Sequence, residues 1–235
     1  MRRRIPIIVV ILVILLGLVG LALYRLDIRT PKLAQPIESQ IILPEPRFES
    51  KTSVEEAIHN RRSVRQFTDE PLTLAEASQL LWAAQGITGP SGQRTAPSAG
   101  ALYPLEIYLL VGNVDGLSQG IYKYIPKGHE LAVITAGDYR QTLFNAALSQ
   151  EAVRDAAVVI VIAAVYERTT VKYGDRGLQY VHIEVGNVAQ NVYMQAVALN
   201  LGTVFIGAFH DDQVKNVINL PENIQPLGLM PVGRK

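Results

Sequence analysis

Ala156-Ala-Val-Val-Ile-Val-Ile-Ala-Ala-Val165 is an unbroken apolar run, and it reads as a central strand buried on both faces. On its C-terminal side the longest helical pattern of the chain covers residues 178–200. There Val181, Val185, Val188, Val192, Met194, Ala196 and Leu199 recur at helical spacing before Gly202. Beyond it, 203–207 reads as a strand, 211–218 as a helix and 227–232 as a last strand. On the N-terminal side, 105–111, 120–125 and 131–135 read as strands. They follow a loop, 86–104, crowded with Gly, Pro and Ser and longer than a connector needs. Two helices precede that loop. Ser53-Val-Glu-Glu56 and Thr73-Leu-Ala-Glu76 each have the serine or threonine and the glutamate of a capping box, opening helices that end near Asn60 and Gly86. Helices and strands are thus mixed along one domain, and the class is α+β.

Composition removes several kinds of chemistry. The 235 residues suit one domain with a targeting segment, and a formal net charge of +1 supplies no basic excess for nucleic acid. There is no cysteine, hence no disulfide, thiol nucleophile or Cys-ligated zinc. The four histidines, His59, His129, His182 and His210, are scattered and form no HExxH pair, so no metal site is expected. Neither a P-loop nor a GxGxxG segment is present, so a nucleotide cofactor needs another kind of cradle.

Residues 5–23 contain no charge and match the roughly 30 Å hydrocarbon thickness at helical rise. Arg2, Arg3 and Arg4 precede them, so residues 1–24 are expected to form a single-pass anchor with the folded domain on the extracytoplasmic side. Cleavage as a signal segment is the competing reading. Residues 25–50, with Pro31, Pro36, Pro44 and Pro46, read as an extended linker, and the folded domain is expected over 51–235.

Arg61-Arg62-Ser63-Val64-Arg65 places three guanidiniums and a hydroxyl within five residues, a donor set matched to a doubly charged phosphate. Basic clusters are also common on solvated surfaces, so these residues alone leave both readings open. The segment resembles the phosphate grip of the nitroreductase superfamily, and Ala96-Pro-Ser-Ala-Gly-Ala-Leu-Tyr-Pro-Leu-Glu106 resembles that family's Pro-Ser loop. Lys172-Tyr-Gly-Asp-Arg-Gly177 and Glu184-Val-Gly-Asn-Val-Ala-Gln190 are similar to its SagB-type, FMN-dependent dehydrogenase branch, which forms thiazole and oxazole rings in peptides.

The resemblance implies a nitroreductase-like fold, a central, mostly antiparallel sheet flanked by helices, and a homodimer with FMN at the subunit interface. It implies that Arg61, Arg62, Ser63, Arg65 and Arg234 hold the phosphate. Pro97, Ser98 and Ala99 would line the isoalloxazine, Gln150 would approach the ring, and Ile206 and Gly207 would bring a backbone amide near its N5. Lys172 and Tyr173 match a proton-transfer pair, although both also read as ordinary loop residues. Two substrate classes follow: azoline rings in a modified peptide, or quinones and nitroaromatics reduced with NAD(P)H as co-substrate. The alternative from another class is a noncatalytic flavin-binding or membrane-tethered interaction module, because a fold alone does not guarantee chemistry.

Overall fold

The computed structural model describes residues 40–235. Strands β1 (Gln40–Ile42), β3 (Leu105–Val111), β5 (Gly120–Ile125), β6 (Glu130–Ala136), β7 (Val158–Ala164), β8 (Leu201–Thr203) and β9 (Gln225–Arg234) form one sheet in the order β1-β6-β5-β3-β7-β9-β8. Every pairing in it is antiparallel. Strands β2 (Leu72–Thr73) and β4 (Val114–Asp115) make a separate short parallel ladder. Both edges of the main sheet are three-residue strands, which limits open edge for pairing with another chain.

The apolar run is the middle of this sheet, and its two faces enter two different cores. Val158, Ile160, Ile162 and Ala164 face one cluster with Leu80 and Leu81 of helix α2 (Leu74–Gln85) and Val181, Val185, Val188 and Val192 of helix α6 (Arg176–Ala198). Val159, Val161 and Ala163 face a second cluster with Leu143 of α3 (Arg140–Ala146), Val153 of α4 (Glu151–Asp155) and Val214 and Ile218 of α7 (Asp211–Ile218). Helices on both sides explain why no polar residue alternates in β7. Each Val or Ile buried there contributes about 1.5–3 kcal/mol relative to exposure.

The remaining helices are α1 (Val54–Asn60) and α5 (Glu167–Tyr173). Ser53 caps α1 by accepting from the Glu56 amide at 3.0 Å, and Thr73 and Glu76 complete a reciprocal capping box on α2. Helices α3, α4 and α5 are absent from the periodicity reading because none exceeds two turns, too short a window for a 3.6-residue period to register.

The boundary expected at Lys51 needs correction. Gln40–Ile42 pairs with β6, Leu43 is only 3% exposed, and the Pro44 carbonyl accepts from Ser78 Oγ at 2.6 Å. Gln79 then clamps Arg47, accepting its amide at 2.8 Å and donating to its carbonyl at 3.0 Å. Pro44 and Pro46, which read as part of a tether, instead follow an edge strand, where their missing N–H costs no ladder bond. The anchor expected over 5–23 and the first part of the tether lie outside the described residues. Among the described residues no helix is long and apolar enough to cross a membrane.

The strand expected over 203–207 is also different. Ladder pairing stops at Thr203 and resumes only at Ile206, opposite Leu229. The Phe205 amide donates to Tyr193 Oη at 2.7 Å, and the Phe205 ring fills the space a side chain at Gly228 would need. A tyrosine on α6 thus draws the chain off the sheet.

Candidate active site

The segment after α1 is seated by β8 and β9. The Val64 amide donates to Thr203 O at 2.9 Å and that of Thr68 to Arg234 O at 3.0 Å. Val64 lies on Gly202, where a Cβ would come within 2.6 Å of its Cγ1, so glycine is what lets the segment approach. Ser63 Oγ shares a hydrogen bond with Tyr193 Oη at 3.2 Å, and the Arg61 guanidinium stands 5.1 Å from the Tyr193 ring centre. Arg62 turns back to cap α1 through the His59 and Arg61 carbonyls at 2.9 and 2.7 Å. Among the described residues Arg61, Arg62 and Arg65 have no carboxylate partner.

Arg234 differs from the other three. Its guanidinium grips Glu76 through two bonds of 2.8 and 2.9 Å, and the same carboxylate caps α2. Burial pushes the Glu76 carboxyl up, but the Thr73 amide and Arg234 outweigh it and hold it below the ordinary carboxylate range. Glu76 reads in sequence as a cap alone, so this pairing is legible only in three dimensions.

A second group of residues gathers at the other end of α6. Ser98 Oγ accepts the Tyr103 amide at 2.9 Å and opens a 3-10 turn, Ala99–Ala101, in which Gly100 has φ +62°. A Cβ on Gly100 would sit 2.7 Å from Tyr173 Oη and 2.9 Å from Lys172 Nζ, so both polar tips converge on the Pro-Ser loop. Lys172 and Tyr173 end helix α5 and are not loop residues. Tyr173 packs edge-on against Tyr180, with ring centres 5.1 Å apart. Arg168, one turn earlier, ties α5 to the loop by donating to Tyr103 O at 3.1 Å and pairing with Glu106. Burial raises the Glu106 carboxyl, yet Lys123 and Arg168 more than offset this and leave it below the ordinary range.

Pro97, Ser98 and Ala99 form one wall of a cleft of about 300 Å³, with Tyr180, Ile183 and Asn187 opposite and Glu184 at its floor. Glu184 enters the sequence reading only as the first residue of the SagB-like segment, without a role of its own, and Gln85 and Arg94 behind it do not enter it as site residues. The signal was available: residue 184 lies three positions after Val181 and four before Val188, a carboxylate on an apolar stripe.

A third group joins Gln150 to the segment after β8. Gln150 Nε2 donates to Ala147 O and Ala208 O, both at 2.9 Å. The Ile206 amide is used by Leu229 O at 2.8 Å, whereas the Gly207 amide is exposed and has no partner among the described residues. The phosphate-type cluster meets α6 at Tyr193, and the Pro-Ser cleft meets it from Tyr180 to Asn187. At helical rise Asn187 and Tyr193 are about 9 Å apart along the axis.

A model of the nitroreductase family matches residues 58–234. A Methanocaldococcus jannaschii protein that carries a nitroreductase name is 51% identical over 182 residues, 77% of this chain and 91% of that protein. The NADPH-dependent FMN reductase of Bacillus subtilis is 27% identical over 183 residues, 76% of this chain and 64% of its own length. An Anabaena variabilis structure bearing the nitroreductase name superposes with a TM-score of 0.73 at 31% identity, covering 85% of this chain and 42% of that one. The Escherichia coli microcin synthetase McbBCD, solved with truncated pro-MccB17 bound, contains a chain that superposes with a TM-score of 0.64 at 25% identity, covering 90% and 86%. With that match spanning nearly the whole described domain, the chain belongs to the nitroreductase family and is an oxidoreductase.

Proposed function

We propose that the protein is an FMN-dependent dehydrogenase of the SagB type, working as a homodimer. The observation that carries the cofactor is the set of guanidiniums of Arg61, Arg62 and Arg65, without a carboxylate partner among the described residues and carried on the same five-residue segment as the Ser63 hydroxyl. Such a set fits a phosphate dianion and is costly to assemble without one. When bound, FMN supplies a two-electron acceptor and donor that no side chain of this chain can replace. The Gly207 amide is free to donate to the ring, and Gln150 holds that turn in place through Ala208.

Lys172 Nζ and Tyr173 Oη are the groups placed to take or return a proton beside the Pro-Ser loop. Their convergence on Gly100, together with the likeness to a microcin synthetase chain, supports oxidation of a ring in a modified peptide. The likeness to an FMN reductase supports a second reading, reduction of a quinone or nitroaromatic by NAD(P)H. The exposed apolar side chains Val54, Ile58, Leu178 and Ile183 on α1 and α6, which a partner would cover, support a site completed by a second copy. The uncharged residues 5–23 behind Arg2–Arg4 support a single membrane anchor with the domain outside the cytoplasm. Protection of the domain from protease in intact spheroplasts would overturn that orientation.

The deciding experiment is an absorbance spectrum of the purified full chain, followed by NADPH under anaerobic conditions. Bound flavin that ignores NADPH and bleaches with an azoline peptide supports the dehydrogenase. Bleaching by NADPH replaces it with the reductase reading. A colourless dimer that takes up no added FMN overturns both.

A further inference from the structure

We propose, resting on the flavin reading above, that Tyr193 is a positioning residue whose hydroxyl makes Ser63 a hydrogen-bond donor to the FMN phosphate. From α6, Tyr193 joins two segments distant in sequence, the arginine-rich stretch after α1 and the stretch that leaves the sheet after β8. Among the described residues its Oη has two partners, the Phe205 amide at 2.7 Å and Ser63 Oγ at 3.2 Å. The Arg61 guanidinium stands over the ring of the same tyrosine, 5.1 Å from its centre, so Arg61 and Ser63 share one support.

The chemistry of the two ends sets the direction of this chain of hydrogen bonds. A backbone N–H can only donate, so Tyr193 Oη accepts from Phe205 and keeps its own proton to give. Between Tyr193 and Ser63 either hydroxyl can donate. If Ser63 donates to Tyr193, the exposed serine offers only lone pairs to a ligand, and these repel an anion. If Tyr193 donates to Ser63, the serine proton is free for the ligand. The oxygens of a phosphate dianion only accept, so the dianion selects the second arrangement. Three hydrogen bonds then run one way, from the Phe205 amide through Tyr193 and Ser63 to the phosphate, and each polarises the next. The link between Ser63 and Tyr193 exceeds the roughly 2.5–3.0 Å usual between hydroxyls, so it is the one an anion can tighten. At its other end the chain reaches the residue before Ile206, which bridges to Leu229 and is followed by Gly207. A phosphate and the turn proposed to face the flavin ring are thus tied to one tyrosine.

Tyr193→Phe keeps the ring beneath Arg61 and removes only the hydroxyl. In a fluorescence titration of the full chain with FMN, Tyr193→Phe and Ser63→Ala should each bind roughly tenfold more weakly. Ser63→Thr, which keeps a hydroxyl, should bind as the wild type does. In the double variant the two losses should not add, because Tyr193 acts through Ser63. Losses that add, or unchanged affinity in Tyr193→Phe, overturn the proposal. A measurement free of flavin accompanies it, with inorganic phosphate as the probe and the Phe205 amide proton followed by NMR. That proton should move downfield in the wild type and in Ser63→Thr as the chain polarises, and stay in place in Ser63→Ala. No movement in the wild type, or an equal movement in Ser63→Ala, overturns the proposal. Ser63 is exposed, so its variants decide the matter even where Tyr193→Phe does not fold. A protein that binds no flavin overturns the functional reading and leaves the phosphate titration to decide.

Discussion

The arginines of this site look alike in sequence and differ in what they face. Arg65 is exposed and unpaired among the described residues, whereas Arg234 is held bidentately by Glu76. A charge-assisted bond to a phosphate contributes about 1.5–3 kcal/mol, so Arg65→Ala should weaken FMN binding roughly tenfold to a hundredfold in a fluorescence titration. Arg234→Ala should behave differently, lowering the melting temperature by freeing the Glu76 carboxylate while changing FMN affinity by less than about threefold. Flavin affinity that collapses in Arg234→Ala would mean that this guanidinium leaves Glu76 for the phosphate, the role its position in the sequence suggests.

At the scale of elements, two helices and a loop set the geometry of the proton-transfer pair. Helix α5 carries Lys172 and Tyr173, Arg168 ties α5 to Tyr103, and the left-handed Gly100 leaves room for both side-chain tips. Gly100→Ala should cost about 1–2 kcal/mol, because an L-residue at this φ is strained. Its methyl group would also displace Lys172 Nζ and Tyr173 Oη. Turnover is therefore expected to fall at least about tenfold while FMN still binds, since the phosphate cluster lies at the far end of α6. Loss of flavin affinity equal to the loss of turnover would contradict that separation. None of this geometry shows in the periodicity of α5, which is too short to register. The two residues were legible only through their family resemblance.

Across the whole molecule, residues 40–48 pin the sheet edge to α2 through a half-buried histidine. His129 shares hydrogen bonds with Tyr124 Oη at 2.8 Å and Ser78 Oγ at 2.7 Å and lies 3.1 Å from the Pro44 carbonyl. Burial lowers its pKa below the ordinary 6.5, with Pro44 and Glu45 opposing only in part. The unfolded chain then binds a proton more readily than the folded one. This contribution to stability is whole above pH 6.5 and is lost as pH falls through that value toward the lower folded one. Thermal unfolding across about pH 5 to 8 should show the loss, and His129→Gln should flatten the slope. An unchanged slope would place the pH dependence elsewhere.

The sequence by itself determined the α+β class, the buried middle strand, the long helix and the residue sets at its two ends, because periodicity, caps and local motifs are properties of neighbours along the chain. Tertiary structure decided the rest. The pairing of Arg234 with Glu76 spans 158 residues, that of Gln85 with Glu184 spans 99, and the seating of β1 on β6 joins segments just as remote in sequence. Whether a charge is free or neutralised, and whether a carboxylate lies in water or beneath a ligand cleft, depends on which distant elements the packed sheet brings together. No local pattern encodes that.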